Sequence, residues 1–492
     1  MQLTHPQFII TNAFSNGKRR VAVLAATVAL ADFLSFRQAF GLNLFLLPIL
    51  LTCAILISAR KPTHPVTAAV YLCLSAIASA PLLEAPTASG FIISMAAVIL
   101  IALKAAKLLP KRPGAIPLVL LRFMPSMLTG LPKTYRRYSR SLSGRTIFGA
   151  ALKSLTGWML PLGMGLVFLL LFSAANPLIE MGLHNIDLRF MLNLLDISRL
   201  AFWLAAASLI WAMIRPRLTP KRRRSSIDPV GDSPITGLLD HRALVRSLAI
   251  FNLLFAMQTA LDLIYLWGGA ELPAGMSHAE YAHRGAYPLA ATALLAAAFV
   301  LIAMRRGGPG DASRLIRALV IAWIIQNVLL CLSSILRLDL YVEAYSLTHL
   351  RLAAGVWMGL VATGLMFILL RIALRRSNEW LISMNLLTLA TVLYFGAFLD
   401  SSAFIARFNV ENSLEFSQHG TPLDIHYLAS LGPSAIPALD LYLSAAPEDG
   451  DKRRLASFAR QHLAFPITSR PQAWRSWSYR QERMKNYLLT RL

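Results

Sequence analysis

Runs of about 20 apolar residues decide most of what this chain can fold into, because that is the length a helix needs to cross the hydrocarbon core of a bilayer. Four runs fall in the first hundred residues, at Val21–Phe36, Phe40–Ser58, Val66–Leu83 and Thr87–Ala105. Seven more follow at Gly149–Leu178, Leu200–Ile214, Leu244–Trp267, Ala286–Met304, Leu315–Leu336, Leu352–Leu374 and Trp380–Phe404. That makes about eleven spans by the length criterion, with Val21–Phe36 and Leu200–Ile214 the shortest. Composition agrees: 56% of the 492 residues are hydrophobic and 15% charged, against roughly 25% charged in soluble domains. The net charge is +24, yet the mean hydropathy is +0.56. A nucleic-acid binder with that charge would be polar overall, and a disordered chain would be poor in large apolar residues.

Where the cations sit tests the spans independently, since Lys and Arg concentrate in cytoplasmic loops. Lys18-Arg19-Arg20 precede the first run, and Arg60-Lys61 follow the second. Lys104 to Lys153 contains no acidic residue, and Lys221-Arg222-Arg223-Arg224 follow the sixth run. Arg305-Arg306 follow the eighth, and Arg371, Arg375 and Arg376 follow the tenth. The intervening loops carry Glu84, Glu180, Asp187, Glu271, Glu280, Asp339 and Glu343. This alternation places the N-terminus inside and, with an odd number of spans, the tail from Ala406 outside. In a Gram-negative host that outside is the periplasm, and the membrane is the inner one. The first run lacks a small-x-small exit and reads as a retained signal anchor.

The loop between the fourth and fifth runs combines an apolar piece, Ile116 to Leu131, with TYRRYSR at Thr134–Arg140. Basic-aromatic segments beside spans suit anionic lipid headgroups. Without a nucleic-acid module, no nucleic-acid partner is expected. Cys53, Cys73 and Cys331 all lie in apolar runs and read as packing residues. The tail mixes both charges, and Pro422–Leu431, Pro433–Leu443 and Lys452–Ala464 read as helices. Its last stretch puts Trp474, Trp477, Gln481, Met484 and Leu488 at helical spacing. That stripe suits either an interfacial helix or packing on the rest of the tail.

Ionisable and amide side chains inside spans are expensive, so they are functional candidates by default. They are Asp32, Gln258 and Asp262 (four apart on one face), Asn327 and Asp400. A proton or ion path would use such carboxylates, whereas interhelical hydrogen bonding accounts for the amides. The densest polar cluster is the outer loop Gly268–Pro288, with Glu271, His278, Glu280, Tyr281 and Arg284 as ligand or partner candidates. His278 and His283 are five residues apart, about 140° around a helix, which argues against a zinc protease site. Glu280 and Arg284 stand at i,i+4 and would pair. No Ser-His-Asp, phosphate-loop, dinucleotide or kinase pattern occurs in the right context, and no metal or cofactor is expected.

The outer-loop sequence ALDLIYLWGGAELPAGMSHAEYAHRGAYPL resembles the signature of an uncharacterised bacterial family of multi-pass membrane proteins, classed as a domain of unknown function. The matching residues are Leu272, Pro273, Gly275, Ala279, Glu280, Tyr281, Ala282, Arg284 and Gly285. The likeness continues through ANP at Ala175–Pro177, EAYSLTHLRL at Glu343–Leu352 and LDIHYLASLGPSAIPAL at Leu423–Leu439. It covers roughly residues 150 to 445 and leaves the first 145 without a counterpart. His283 stands where the family usually has Arg, and Pro288 where an acidic residue is common, so a proton-carrying carboxylate has no counterpart there. The resemblance implies a topology and no activity.

The expectation is therefore an all-α, polytopic transmembrane helix bundle with a small helical C-terminal soluble region. Its expected segments are 1–108 (four spans), 109–153 (basic cytoplasmic loop), 154–405 (seven spans) and 406–492 (soluble helices). The expected role is a non-enzymatic envelope sensor, scaffold or regulator in contact with the lipid bilayer and an envelope protein partner. The alternatives are a transporter or channel for a small solute or ion and, behind it, a membrane enzyme acting on a lipid-linked substrate.

Overall fold

The computed structural model describes residues 6–59, 63–141, 161, 164–165, 168, 196–218, 241–268, 292, 295, 313–418, 420–445, 450–469 and 473–490, side chains included except at 6–16 and 135–141. The expected spans Gly149–Leu178 and Ala286–Met304 lie outside the described residues apart from isolated positions, as do ANP and residues 269–288 of the outer loop. The described residues are helical, with one isolated bridge between Ser413 and Thr421. Among them, seven helices are long and apolar enough to cross a membrane, so the chain is a multi-pass membrane protein by length and composition. The chain divides into two compact units: Met1–Lys111 with Ala115–Lys221 and Ala473–Ser478, and Arg112–Gly114 with Arg222–Gln472 and Tyr479–Leu492.

The first unit contains α1 (Pro6–Ser35), α2 (Leu42–Ile57), α3 (Pro65–Ser79), α4 (Pro81–Glu84), α5 (Ala88–Ala105), α6 (Ile116–Ser141) and α7 (Ile197–Ile214). Pro65 opens α3, where its missing N–H costs nothing. Thr87 caps α5 by accepting from the Gly90 amide at 3.2 Å. The α1–α2 corner turns on Asn43, a fully buried side chain. Its oxygen accepts from the Gly41 and Leu44 amides at 2.8 Å, and its nitrogen donates to the Leu34 and Ala39 carbonyls at 3.1 Å. All four of its hydrogen-bonding positions are thus used, which is how an apolar environment tolerates an amide. At the middle of α1, Arg19 and Arg20 donate to the carbonyls of Ala59 and Ser58, just beyond α2. Residues 109–153 read from sequence as a loop, yet α6 occupies more than half of that stretch. Its apolar portion, Pro113–Thr134, is one of the seven long helices. α2 and α3 are apolar but shorter, at 16 and 15 residues.

In the second unit, α8 (His241–Asp262) runs into a single π-helical turn, Leu263–Trp267. α9 (Arg314–Tyr345), α10 (His349–Ala373) and α11 (Asn378–Gly396) follow. Leu244, Leu248, Trp323, Ile324, Leu365 and Ile368 form the core, with Phe251 stacked on Trp323 at 5.1 Å. The other side of α8 exposes Ile250, Leu253, Leu254 and Met257, each more than half accessible. A helix apolar on both faces belongs in lipid, where the outward side meets acyl chains. α9 has 32 residues, about 48 Å at 1.5 Å per residue, and so outruns a 30 Å hydrocarbon core. Its last turns join the C-terminal region instead.

That region holds α12 (Ser401–Glu411), α13 (Leu414–Ser417), α14 (Ile425–Ser430), α15 (Ile436–Ala445), α16 (Asp451–Ser469) and α17 (Tyr479–Leu489). Val342, Leu347, Ile405, Val410, Leu428 and Leu439 anchor its core. The last expected span, Trp380–Phe404, is therefore not continuous: α11 stops at Gly396 and α12 restarts at Ser401. The physical reason is Asp400, whose Oδ1 accepts from the Ala403 amide at 3.0 Å as an N-cap. The expected 405/406 boundary falls inside α12, with Ile405 and Ala406 both fully buried. The stripe Trp474–Leu488 is also interrupted, because a 3₁₀ turn at Trp474–Ser476 and extended backbone at Trp477 precede α17. Leu488 is buried with Ile436 and Ala464, and Met484 packs beside them.

Candidate functional site

The C-terminal end of α9 and the N-terminal end of α10 meet at a corner that the chain holds against its own backbone preference. Ser346 has φ 65° and ψ 166°, a region populated almost only by glycine and costing other residues about 1–3 kcal/mol. Such a residue persists only where its surroundings over-determine it, and here they do. The next residue, Leu347, is gripped by Asn409 of α12. The Leu347 amide donates to Asn409 Oδ1 at 2.7 Å, and Asn409 Nδ2 returns a bond to the Leu347 carbonyl at 2.9 Å. Thr348 then caps α10 by accepting from the Arg351 amide. Arg351 Nη1 donates to the Tyr345 carbonyl at 2.6 Å and to the Ser346 carbonyl, and its guanidinium lies 4.5 Å from the centre of the Tyr341 ring.

A second segment closes on this corner. Ser346 Oγ and Thr421 Oγ1 are 2.8 Å apart, and the His349 amide donates to the Tyr427 hydroxyl at 3.2 Å. Asp424 caps α14, accepting from the Tyr427 amide at 2.9 Å. Glu415 holds the approach to that cap, accepting from the Leu423 amide at 2.9 Å and pairing with Lys452. Burial raises the Glu415 pKa, but the Lys452 ammonium and the Leu423 amide outweigh it, so the carboxyl sits below its usual range. Gly420 has φ 93°, and a Cβ there would lie 2.4 Å from the Asn412 carbonyl oxygen, so glycine is required.

Between the two segments opens a pocket of about 310 Å³, lined among others by Tyr345, Ser346, Thr348, Arg351, Asp424 and Tyr427. That volume is at the small end of ligand sites. Its walls offer hydroxyls, one cation, one carboxylate and aromatic faces, which is the chemistry of a site for a small polar molecule. Most of the lining comes from the two segments that carry the family resemblance, Glu343–Leu352 and Leu423–Leu439, which sequence alone could not place side by side.

The intramembrane candidates are held in other ways. Asp262 closes α8 and is fully buried. It pairs with Arg337 of α9, whose side chain is 3% exposed, and accepts from Gln258 Nε2 at 3.0 Å. One turn on, Trp267 Nε1 donates to Ser333 Oγ at 3.1 Å. Single π-turns recur at functional positions, and this one begins at the residue after the ion pair. Asp32, in the first unit, accepts from Arg199 Nε at 3.1 Å and Trp203 Nε1 at 3.0 Å, both from α7. Asp400 pairs with Arg480 at 3.3 Å and accepts from Ser434 Oγ at 2.8 Å. Asn327 stays within α9, donating to the Trp323 carbonyl at 2.7 Å. The structure thus joins Gln258 to Asp262 and leaves Asn327 apart from them. Glu271, His278, Glu280, Tyr281 and Arg284 lie outside the described residues.

Sequence reasoning missed Arg337, Arg199, Ser346 and Asn409. Arg337 follows the expected end of its span by one residue and so read as a boundary, although α9 continues eight residues beyond it. Among the described residues, no group of three His, Cys, Asp or Glu side chains could hold a metal ion.

Neither the curated proteins nor the solved structures contain a match to this chain. Residues 20–442 match a family model described as "Domain of unknown function (DUF4153)". That match begins in α1, so the first 145 residues are not without a counterpart as the motifs alone implied.

Proposed function

The chain belongs to the DUF4153 family, and on that premise we propose that it is a non-enzymatic envelope sensor or regulator whose receptor site is the pocket at the α9–α10 corner. The observation that carries this reading is the convergence of two family-like segments on one pocket that carries polar groups, around a serine held in a costly backbone conformation. Strain of that kind supports function more readily than stability. Because the corner joins α9 to α10, a ligand seated there touches both helices and the C-terminal region at once. Ligand occupancy would therefore bias how those helices end, which is the lever a sensor needs. In a Gram-negative host the membrane would be the inner one, with the C-terminal region in the periplasm and available to an envelope partner.

The carboxylates expected to carry protons in a transporter give that alternative no support. Asp32, Asp262 and Asp400 are each tied to an arginine, so each negative charge already has a neighbouring cation. The test is a thermal-shift screen of the purified full chain against sugars, amino acids, polyols and nucleosides. A binder present at 100 times its Kd would stabilise the protein by about 2.7 kcal/mol. Tyr427→Phe and Arg351→Gln should abolish that shift while leaving the unliganded protein folded. Stabilisation that survives both substitutions would place the ligand elsewhere and sink the proposal.

A further inference from the structure

We infer that α6 does not cross the membrane but lies along the membrane surface at the inner end of the first unit, docked on anionic phospholipid headgroups. This rests on the reading of the chain as a membrane protein with its basic loops inside.

The packing of α6 decides its direction. Val119 and Phe123, near its start, join a core that takes in the last turns of α2, α5 and α7, among them Ile55, Leu103 and Met213. Those turns lie level with Lys18-Arg19-Arg20 at the middle of α1, because Arg19 and Arg20 reach the carbonyls just past α2. Eleven residues after Phe123, about 16 Å along a helix, Thr134 Oγ1 accepts from Trp211 Nε1 at 3.1 Å. Trp211 is again in the last turn of α7. A span would have carried Thr134 to the opposite end. Instead α6 starts and finishes beside the same helix ends.

Its faces match that course. Val119, Phe123 and Ser126 are buried against the bundle. Turned away from them, Leu118, Leu121, Met124 and Leu128 are 50%, 68%, 48% and 75% exposed. Between these two sides runs a basic edge, with Arg122 and Lys133 about 20° apart on the helical wheel. The helix runs on through Arg136, Arg137 and Arg140. From Lys104 to Lys153 there are eleven Lys and Arg and no Asp or Glu. An apolar edge beside a basic one complements an anionic leaflet, acyl chains meeting the first and phosphates the second.

The test uses the full chain, with its three cysteines replaced by alanine, in nanodiscs of phosphatidylcholine with or without phosphatidylglycerol. Spin labels at Leu118→Cys and Leu128→Cys report depth through oxygen and nickel accessibility, and Leu253→Cys on α8 serves as a control. Labels ten residues apart on a spanning helix differ in depth by about 15 Å, whereas on a surface helix they differ by only a few Å. The expected result is two shallow, nearly equal depths with phosphatidylglycerol, shifting toward water without it and in Arg122→Gln/Lys133→Gln. A 15 Å difference would overturn the surface placement. Equal depths in both lipids would overturn headgroup recognition, and water-exposed labels throughout would make α6 a solvated helix. A water-exposed Leu253→Cys label would instead refute the bilayer reading itself.

Discussion

At the scale of single residues, the costly side chains stood out and their partners did not. Asp32, Asp262 and Asp400 are visible as charges in or beside apolar runs. Arg199, Arg337 and Arg480 pair with them across 167, 75 and 80 positions, separations that no local pattern encodes. The Asp262–Arg337 pair carries a sharp prediction. Removing one member of a buried pair strands the other charge and costs about 3–5 kcal/mol, while replacing both with apolar residues is often neutral. Arg337→Met alone should therefore destabilise the second unit strongly, and Asp262→Leu/Arg337→Met should recover most of the loss in a thermal or denaturant melt. If the double variant is no more stable than the single one, the pair has a role other than mutual neutralisation.

At the scale of elements, hydropathy located the helices better than it told what they do. The C-terminal helices were legible because Gly432-Pro433 and Pro447 to Gly450 separate them. The break before α12 was not, because Phe398-Leu399 and Phe404 keep the run apolar across the Asp400 cap. α6 read as a loop because its cations interrupt the apolar run, which spoils an average over the sequence although the helix continues through them. The pocket corner likewise depends on elements far apart in sequence, and Glu415 fixes one of its walls. A carboxyl held below its usual range stabilises the fold above that range and loses the effect as pH falls through the folded value. The C-terminal region should therefore weaken below about pH 4.5. Glu415→Gln should flatten that pH dependence in calorimetry, and an unchanged slope would remove Glu415 as its source.

At the scale of the whole molecule, sidedness can be argued without counting spans. In the first unit, Arg475 stacks on Phe33 at 4.0 Å and Trp474 lies 6.4 Å from the same ring. Phe33 is near the C-terminal end of α1, about 22 Å along the helix from Lys18-Arg19-Arg20 at its middle. Gly41 has no room for a side chain, since a Cβ there would lie 2.2 Å from the Ser476 carbonyl carbon. The same end thus receives the tail at two places. Reporter fusions after Arg224 and after Leu492 should score on opposite sides of the membrane. Finding both in the cytoplasm would contradict this arrangement whatever the number of spans.

Apolar runs this long are enough to fix the solvent as a bilayer, since they cannot stay in water. The sequence also marked which polar groups would be expensive. Packing alone settles which arginine neutralises which carboxylate, and that two segments distant in sequence line one pocket. Hydrophobicity adds up along the chain and is readable locally. Ion pairing, capping and pocket formation depend on side chains that meet only after the helices have packed.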